Sequence, residues 1–157
     1  MSTIQRRLFW IMTNLIVIDQ SKIQFLFAYP LLLDKIKSII KCRSETLYES
    51  IRFLVFVTRK AESNEIKRII NENLVEEFVY LLQDYKLQDL KIIKLMLEGL
   101  YNIFYLELQN ESEEAIFKFE SCGGFSIFAS LQTFKSSEVD NLLSMILSEF
   151  FDSDVNN

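Results

Sequence analysis

The residues able to do covalent chemistry are few. The chain has no histidine, so the commonest general base is absent, and its two cysteines, Cys42 and Cys122, have no imidazole to activate them. The cysteines lack CxxC spacing, which argues against a zinc site and for two reduced, partly buried thiols in a cytosolic or nuclear compartment. Gly123 and Gly124 are adjacent, but neither G-x-x-x-x-G-K nor G-x-G-x-x-G surrounds them, so they read as a helix joint rather than a phosphate loop. Glu111, Glu113 and Glu114 read as a solvated loop and helix start, favoured by the helix dipole. We therefore expect no enzyme, no cofactor and no metal. The one pairing with recognition potential is Trp10 with Asn14, four apart and so on one face of any helix that carries them. Trp10 is either a core ring or an exposed slot wall, because aromatic rings usually serve the core.

The elements that must position these residues are helices. Among 157 residues there are three glycines and one proline, too little turn punctuation for a sheet-rich domain, while half of the chain is hydrophobic. Fourteen phenylalanines read as core residues, not as an aromatic binding box. Four longer segments carry apolar residues at helical spacing: 6–18, 45–59, 89–108 and 138–151. Shorter helical pairs lie between them, at 20–27 and 32–41, 63–71 and 75–84, and 112–121 and 125–131. Pro30, Asn73 and the Gly123–Gly124 pair turn the chain inside these pairs. Polar clusters at 59–64 and 109–114 separate one triplet from the next.

Equivalent points on the long segments, Asn14, Phe56 and Asn102, are 42 and 46 residues apart, the period of armadillo and HEAT repeats. The expected fold is all-α, a right-handed armadillo-type superhelix (an α-solenoid) of about three repeats preceded by one helix. It divides 1–151 into a last helix of an incomplete repeat at 1–18 and repeats at 19–60, 61–108 and 109–151. Residues 152–157 form an acidic tail. The first helix would present Leu8, Phe9, Ile11, Met12 and Leu15 without preceding helices to cover them, so we expect an exposed apolar patch, self-association or a missing preceding chain.

Charge and hydropathy narrow the partners. A net charge of −5 disfavours a basic nucleic-acid face. The uncharged stretches at 8–18 and 23–33 fall short of the roughly 20 residues a spanning helix needs. Arg6 and Arg7 before an apolar run mimic the start of a signal peptide, but Asn14 interrupts that run and no small-residue cleavage site follows. The expectation is no membrane and no nucleic acid, with association to a lipid surface suggested only by hydrophobicity.

Several motifs, in order, resemble the C-terminal third of importin-α, the armadillo adaptor for nuclear import signals. Trp10 and Asn14 fit its W-x-x-x-N element. Asn73, Val75, Leu81 and Leu82 follow G-x-I-x-P-L-x-x-L-L, with Asn for Gly, Glu77 for Pro and Phe78 for Leu. Leu97, Gly99, Leu100, Asn102 and Ile103 match L-x-G-L-x-N-I. Glu120, Ser121, Cys122, Gly123 and Gly124, then Leu131 and Gln132, resemble the last repeat, and Phe150 and Phe151 before Asp152 and Asp154 resemble the helix end and acidic tail. No counterpart of the family's basic N-terminal segment or earlier repeats is present among these residues.

The resemblance implies a nuclear-import adaptor shuttling between cytoplasm and nucleus. It would bind nuclear localisation signals, importin-β-type and exportin-type transport factors, or both. It also implies a peptide-binding set of Trp10, Asn14, Glu49 and Asn102 on the third helices. The Asn amide would bond a peptide backbone and the indole would hold a Lys stem by cation–π contact, with Glu49 as the groove carboxylate. At the next Trp and Asn positions, however, stand Arg52, which repels a basic peptide, and Phe56, which cannot bond a backbone. One surviving pair supplies about 1–2 kcal/mol from cation–π contact and about 0.5–1.5 kcal/mol per hydrogen bond, so binding of basic signals is expected to be weak or lost. The alternative is a degenerate armadillo scaffold that binds another protein without signal recognition.

Overall fold

Each helix forms around an apolar stripe, and the joints between helices are set by local chemistry. The computed structural model describes residues 2–84 and 89–151. Within them lie ten α-helices and no strand: α1 (Ser2–Ile18), α2 (Lys22–Ala28), α3 (Leu31–Lys41), α4 (Leu47–Lys60), α5 (Ser63–Asn71), α6 (Leu74–Gln83), α7 (Leu90–Gln109), α8 (Glu114–Ser121), α9 (Gly124–Leu131) and α10 (Ser137–Phe150). A 3-10 turn, Gln132–Phe134, extends α9. The expected acidic tail lies outside the described residues.

Side chains cap two of the helix starts. Asp89 accepts a hydrogen bond from the Lys91 amide at 2.9 Å to cap α7. The Glu65 carboxylate reaches back to the Glu62 amide at 3.0 Å at the head of α5. Two anticipated joints adopt the left-handed backbone that ends a helix, Asn73 at φ 59° and Gly123 at φ 89°. Arg43, Glu111 and Lys135 adopt it as well, at positions whose residue type carries no such signal.

One difference from the periodicity is instructive. The helix expected from residue 112 starts instead at Glu114, because residues 111–113 are used in the turn. There the buried Glu107 carboxylate accepts from the Ser112 hydroxyl at 2.9 Å and from the Ala115 amide at 2.7 Å, so the end of α7 caps the start of α8.

Packing follows a rule of three. The long helices α1, α4, α7 and α10 lie each against the next, α3 packs on α6 and α6 on α9, and α2 packs on α5. Inter-helix ion pairs lie along the second ladder and its joints: Lys41 to Glu77 at 3.0 Å, Lys37 to Glu72 at 2.8 Å and Arg43 to Asp84 at 3.1 Å. The core is continuous and rich in phenylalanine. Phe53, Phe78, Phe104, Phe119 and Phe128 are fully buried. Phe119 sits among Phe104, Phe125, Phe128 and Phe151 with ring centroids 4.8–5.8 Å away. Gly99 lets α7 press against its neighbours: a Cβ there would stand 2.9 Å from the Phe78 ring and 3.0 Å from a Val55 methyl.

Two expectations about burial need correction. Cys42 is exposed, because it lies in the joint after α3. Phe9 does not join the exposed patch of α1. It is buried, its ring 5.7 Å from that of Phe53, whereas Leu8, Ile11 and Leu15 on the outer side of α1 remain exposed and Met12 is half-buried. The helix turns 100° per residue, so Phe9 and Ile16, one heptad apart, share a buried side of α1, and Leu8, Ile11 and Leu15 lie on another side.

Candidate peptide-binding groove

Between α1 and α4 a cavity of about 350 Å³ is lined by Arg6, Arg7, Phe9, Trp10, Thr13, Asn14, Glu49 and Arg52. Three of the four residues singled out from the sequence thus meet there: Trp10, Asn14 and Glu49. Trp10 is 66% exposed, so its ring belongs to the surface rather than to the core. It stands one turn along α1 from Arg6 and one turn before Asn14. Phe9 forms the apolar side of the cavity, continuous with the core through Phe53.

The electrostatics are dominated by arginine. Arg6 lies 3.4 Å from one Glu49 oxygen and also donates to the Glu45 carbonyl at 3.3 Å, bridging α1 to the start of α4. The other Glu49 oxygen is shielded from solvent and has no hydrogen-bond partner. Arg7 and Arg52 are exposed and form no ion pair among the described residues. Phe56, at the position equivalent to Asn14, is half-buried against the core.

Asn102 lies elsewhere. It lines a second cavity, of about 410 Å³, between α4 and α7, together with Thr58, Arg59, Tyr101, Tyr105 and Leu106. Its amide nitrogen donates to the Thr58 hydroxyl at 3.0 Å, and that hydroxyl in turn donates to the Val55 carbonyl at 2.7 Å. Arg59 is ion-paired with Glu98 across the same pair of helices. Tyr101 stacks near Tyr105, with centroids 6.2 Å apart, and donates its hydroxyl to Glu149 of α10 at 2.9 Å. Burial first, then the neighbouring Glu149 carboxylate, pushes the Tyr101 phenol above its ordinary pKa.

Sequence reasoning missed several of these residues. Arg6 and Arg7 were weighed only as the mimic of a signal peptide, yet both lie about one helical turn before Trp10, a spacing that could have placed them beside it. Arg59, Tyr101 and Tyr105 share no recognisable motif; only the stacking of α7 on α4 brings them together.

The polar groups that line the two cavities are amides, hydroxyls and guanidiniums, with the Glu49 carboxylate in the first, and they suit hydrogen bonding and charge pairing. The Cys122 thiol is pushed up, chiefly by burial and then by Glu76, away from the thiolate form a nucleophile needs. Among the described residues no helix is long and apolar enough to cross a membrane. The chain matches no family model and no curated protein.

Proposed function

We propose that this chain is a non-catalytic protein-binding adaptor: a right-handed armadillo-type stack, similar to the end of importin-α, that serves nuclear transport. The observation that carries the reading is the long-helix ladder, in which each of α1, α4 and α7 lies against the next and two open cavities lie between successive members. Extended segments suit such a face, because side chains that repeat along a helix ladder meet a partner's backbone at regular intervals. In the first cavity Trp10 supplies an apolar wall and Asn14 an amide that both donates and accepts.

Two versions of the adaptor differ in what they bind. In the first, the groove takes basic localisation signals through Trp10, Asn14, Glu49 and Asn102. In the second, signal recognition has been lost and the stack docks another protein, such as an importin-β-type or exportin-type transport factor. The position of Arg6, Arg7 and Arg52 around Trp10 favours the second, since like charge in a shared cavity opposes a lysine-rich segment. The engagement of the Asn102 amide by Thr58 points the same way.

Binding of purified importin-β-type and exportin-type receptors to the immobilised chain tests the reading, with a labelled lysine-rich signal peptide run in parallel. The second version expects receptor binding with little or no peptide binding. Saturable peptide binding that Trp10→Ala abolishes returns the first. The absence of binding to receptors and peptide alike sinks the transport role.

A further inference from the structure

The cavity between α1 and α4 has a charge opposite to that of the chain as a whole. The chain carries a net charge of −5, yet this cavity is lined by three guanidiniums, Arg6, Arg7 and Arg52, and one carboxylate, Glu49. That carboxylate is already engaged by Arg6 at 3.4 Å. Arg7 and Arg52 keep their donors free of ion pairs among the described residues, and both are exposed at the cavity rim. The cavity therefore presents two forks of N–H donors free of ion pairs among the described residues, which match the planar geometry of carboxylates, together with a tryptophan ring. Asn14 adds a group able to hold a peptide backbone, and Trp10 adds an apolar wall with one N–H donor.

Taking the groove to be a protein-binding face, as proposed above, we infer that its α1–α4 cavity binds an extended acidic segment of a partner protein. Carboxylate side chains of the segment pair with Arg7 and Arg52, its backbone lies on Asn14, and its hydrocarbon stems lie against Trp10. Arg6 is a positioning residue, since it ties α1 to Glu49 and to the Glu45 carbonyl of the α4 approach. Binding is steered by charge and weakens with salt, because the arginines are exposed and screening acts over about 10 Å at 0.1 M ionic strength. Lysine-rich segments meet the same guanidiniums and are rejected.

Trp10 is the chain's only tryptophan, so its fluorescence reports on this cavity alone. We would titrate the full chain with short poly-glutamate and poly-lysine peptides of equal length at low salt, following Trp10 emission. Poly-glutamate is expected to shift the emission saturably, and raising the salt to about 0.5 M to weaken binding at least about 5-fold. Arg7→Glu combined with Arg52→Glu is expected to weaken it by about 10-fold or more, while Lys67→Glu on the exposed side of α5 leaves it unchanged. All the substituted residues are exposed, and circular dichroism confirms that the variants fold. If poly-lysine shifts the emission and poly-glutamate does not, the charge assignment is wrong while the peptide groove stands. If neither peptide moves it, the groove itself is wrong. Tighter binding of a single-stranded RNA oligonucleotide than of poly-glutamate also overturns the proposal, as does an effect of Lys67→Glu equal to that of the arginine pair.

Discussion

Replacing Gly99 with alanine adds one methyl group where α7 presses closely on α6 and α4. Alanine is favoured over glycine in a helix interior by about 1 kcal/mol, so on propensity alone Gly99→Ala stabilises the protein. The new Cβ, however, meets the Phe78 ring at 2.9 Å and the Val55 methyl at 3.0 Å. Both residues are buried among close-packed neighbours, Phe78 on α6 and Val55 on α4, and neither can retreat without pushing on the next. Overpacking of this kind costs about 1–3 kcal/mol. The net expectation is a loss of up to about 2 kcal/mol, which for a chain of this size lowers Tm by up to roughly 8 °C. The contact also makes a second demand. Val55→Ala by itself should cost about 2–3 kcal/mol, from about 0.8 kcal/mol per methyl group and the cavity left behind. In the Gly99→Ala background it should cost at least about 1 kcal/mol less, because it removes one of the clashing groups. A double-mutant cycle by urea denaturation reads that coupling directly. A raised Tm for Gly99→Ala, or additivity within about 0.3 kcal/mol, would refute the claim that the missing side chain sets the spacing of α4, α6 and α7.

Other contacts lead to their own tests. Glu107→Ala removes the acceptor of both the Ala115 amide and the Ser112 hydroxyl inside a buried joint, and should cost about 2–4 kcal/mol in denaturant titration; a loss below about 0.5 kcal/mol means that water replaces the carboxylate without penalty. The Lys37–Glu72 pair predicts a pH dependence. The hydrogen bond from Lys37 holds the Glu72 pKa down and the same bond holds that of Lys37 up, so the contribution is present between their ordinary values. It is lost as pH falls through the lowered Glu72 pKa and as pH rises through the raised Lys37 pKa. Lys37→Gln should therefore differ from the parent protein at pH 7 and converge with it near pH 2, and an unchanged difference there excludes the pair as its source. The outer side of α1 and the α2–α3 corner leave Leu8, Ile11, Leu15, Phe25, Tyr29 and Leu31 exposed, which predicts self-association. Light scattering should show mass rising with concentration, and Leu15→Glu should suppress the rise; a monomer at all concentrations contradicts this.

The helical class and the approximate span of most helices were legible because they depend on neighbours in the chain, although α1, α2, α4 and α8 start two to four residues away from where the periodicity put them. Apolar residues at helical spacing and left-handed joints at Asn73 and Gly123 act within a few residues of themselves. Trp10 and Asn14 share a face for the same reason. The residues that surround that face answer to distance through space. Arg6 and Arg7 resembled a targeting signal until the packing of α1 on α4 set them beside Glu49 and Arg52 and turned a supposed cradle for lysine into an arginine-rich cavity. Asn102 matched the same motif position as Asn14, but Thr58, 44 residues earlier, holds its amide. Periodicity assigns Phe9 and Leu8 alike to an apolar helix; only α4, supplying the ring of Phe53, decides that one is buried and the other faces solvent. Local sequence sets backbone conformation, because hydrogen bonds and sterics act over one turn. The charge and accessibility of the groove are set by which helix lies alongside which, and that is a property of the stack.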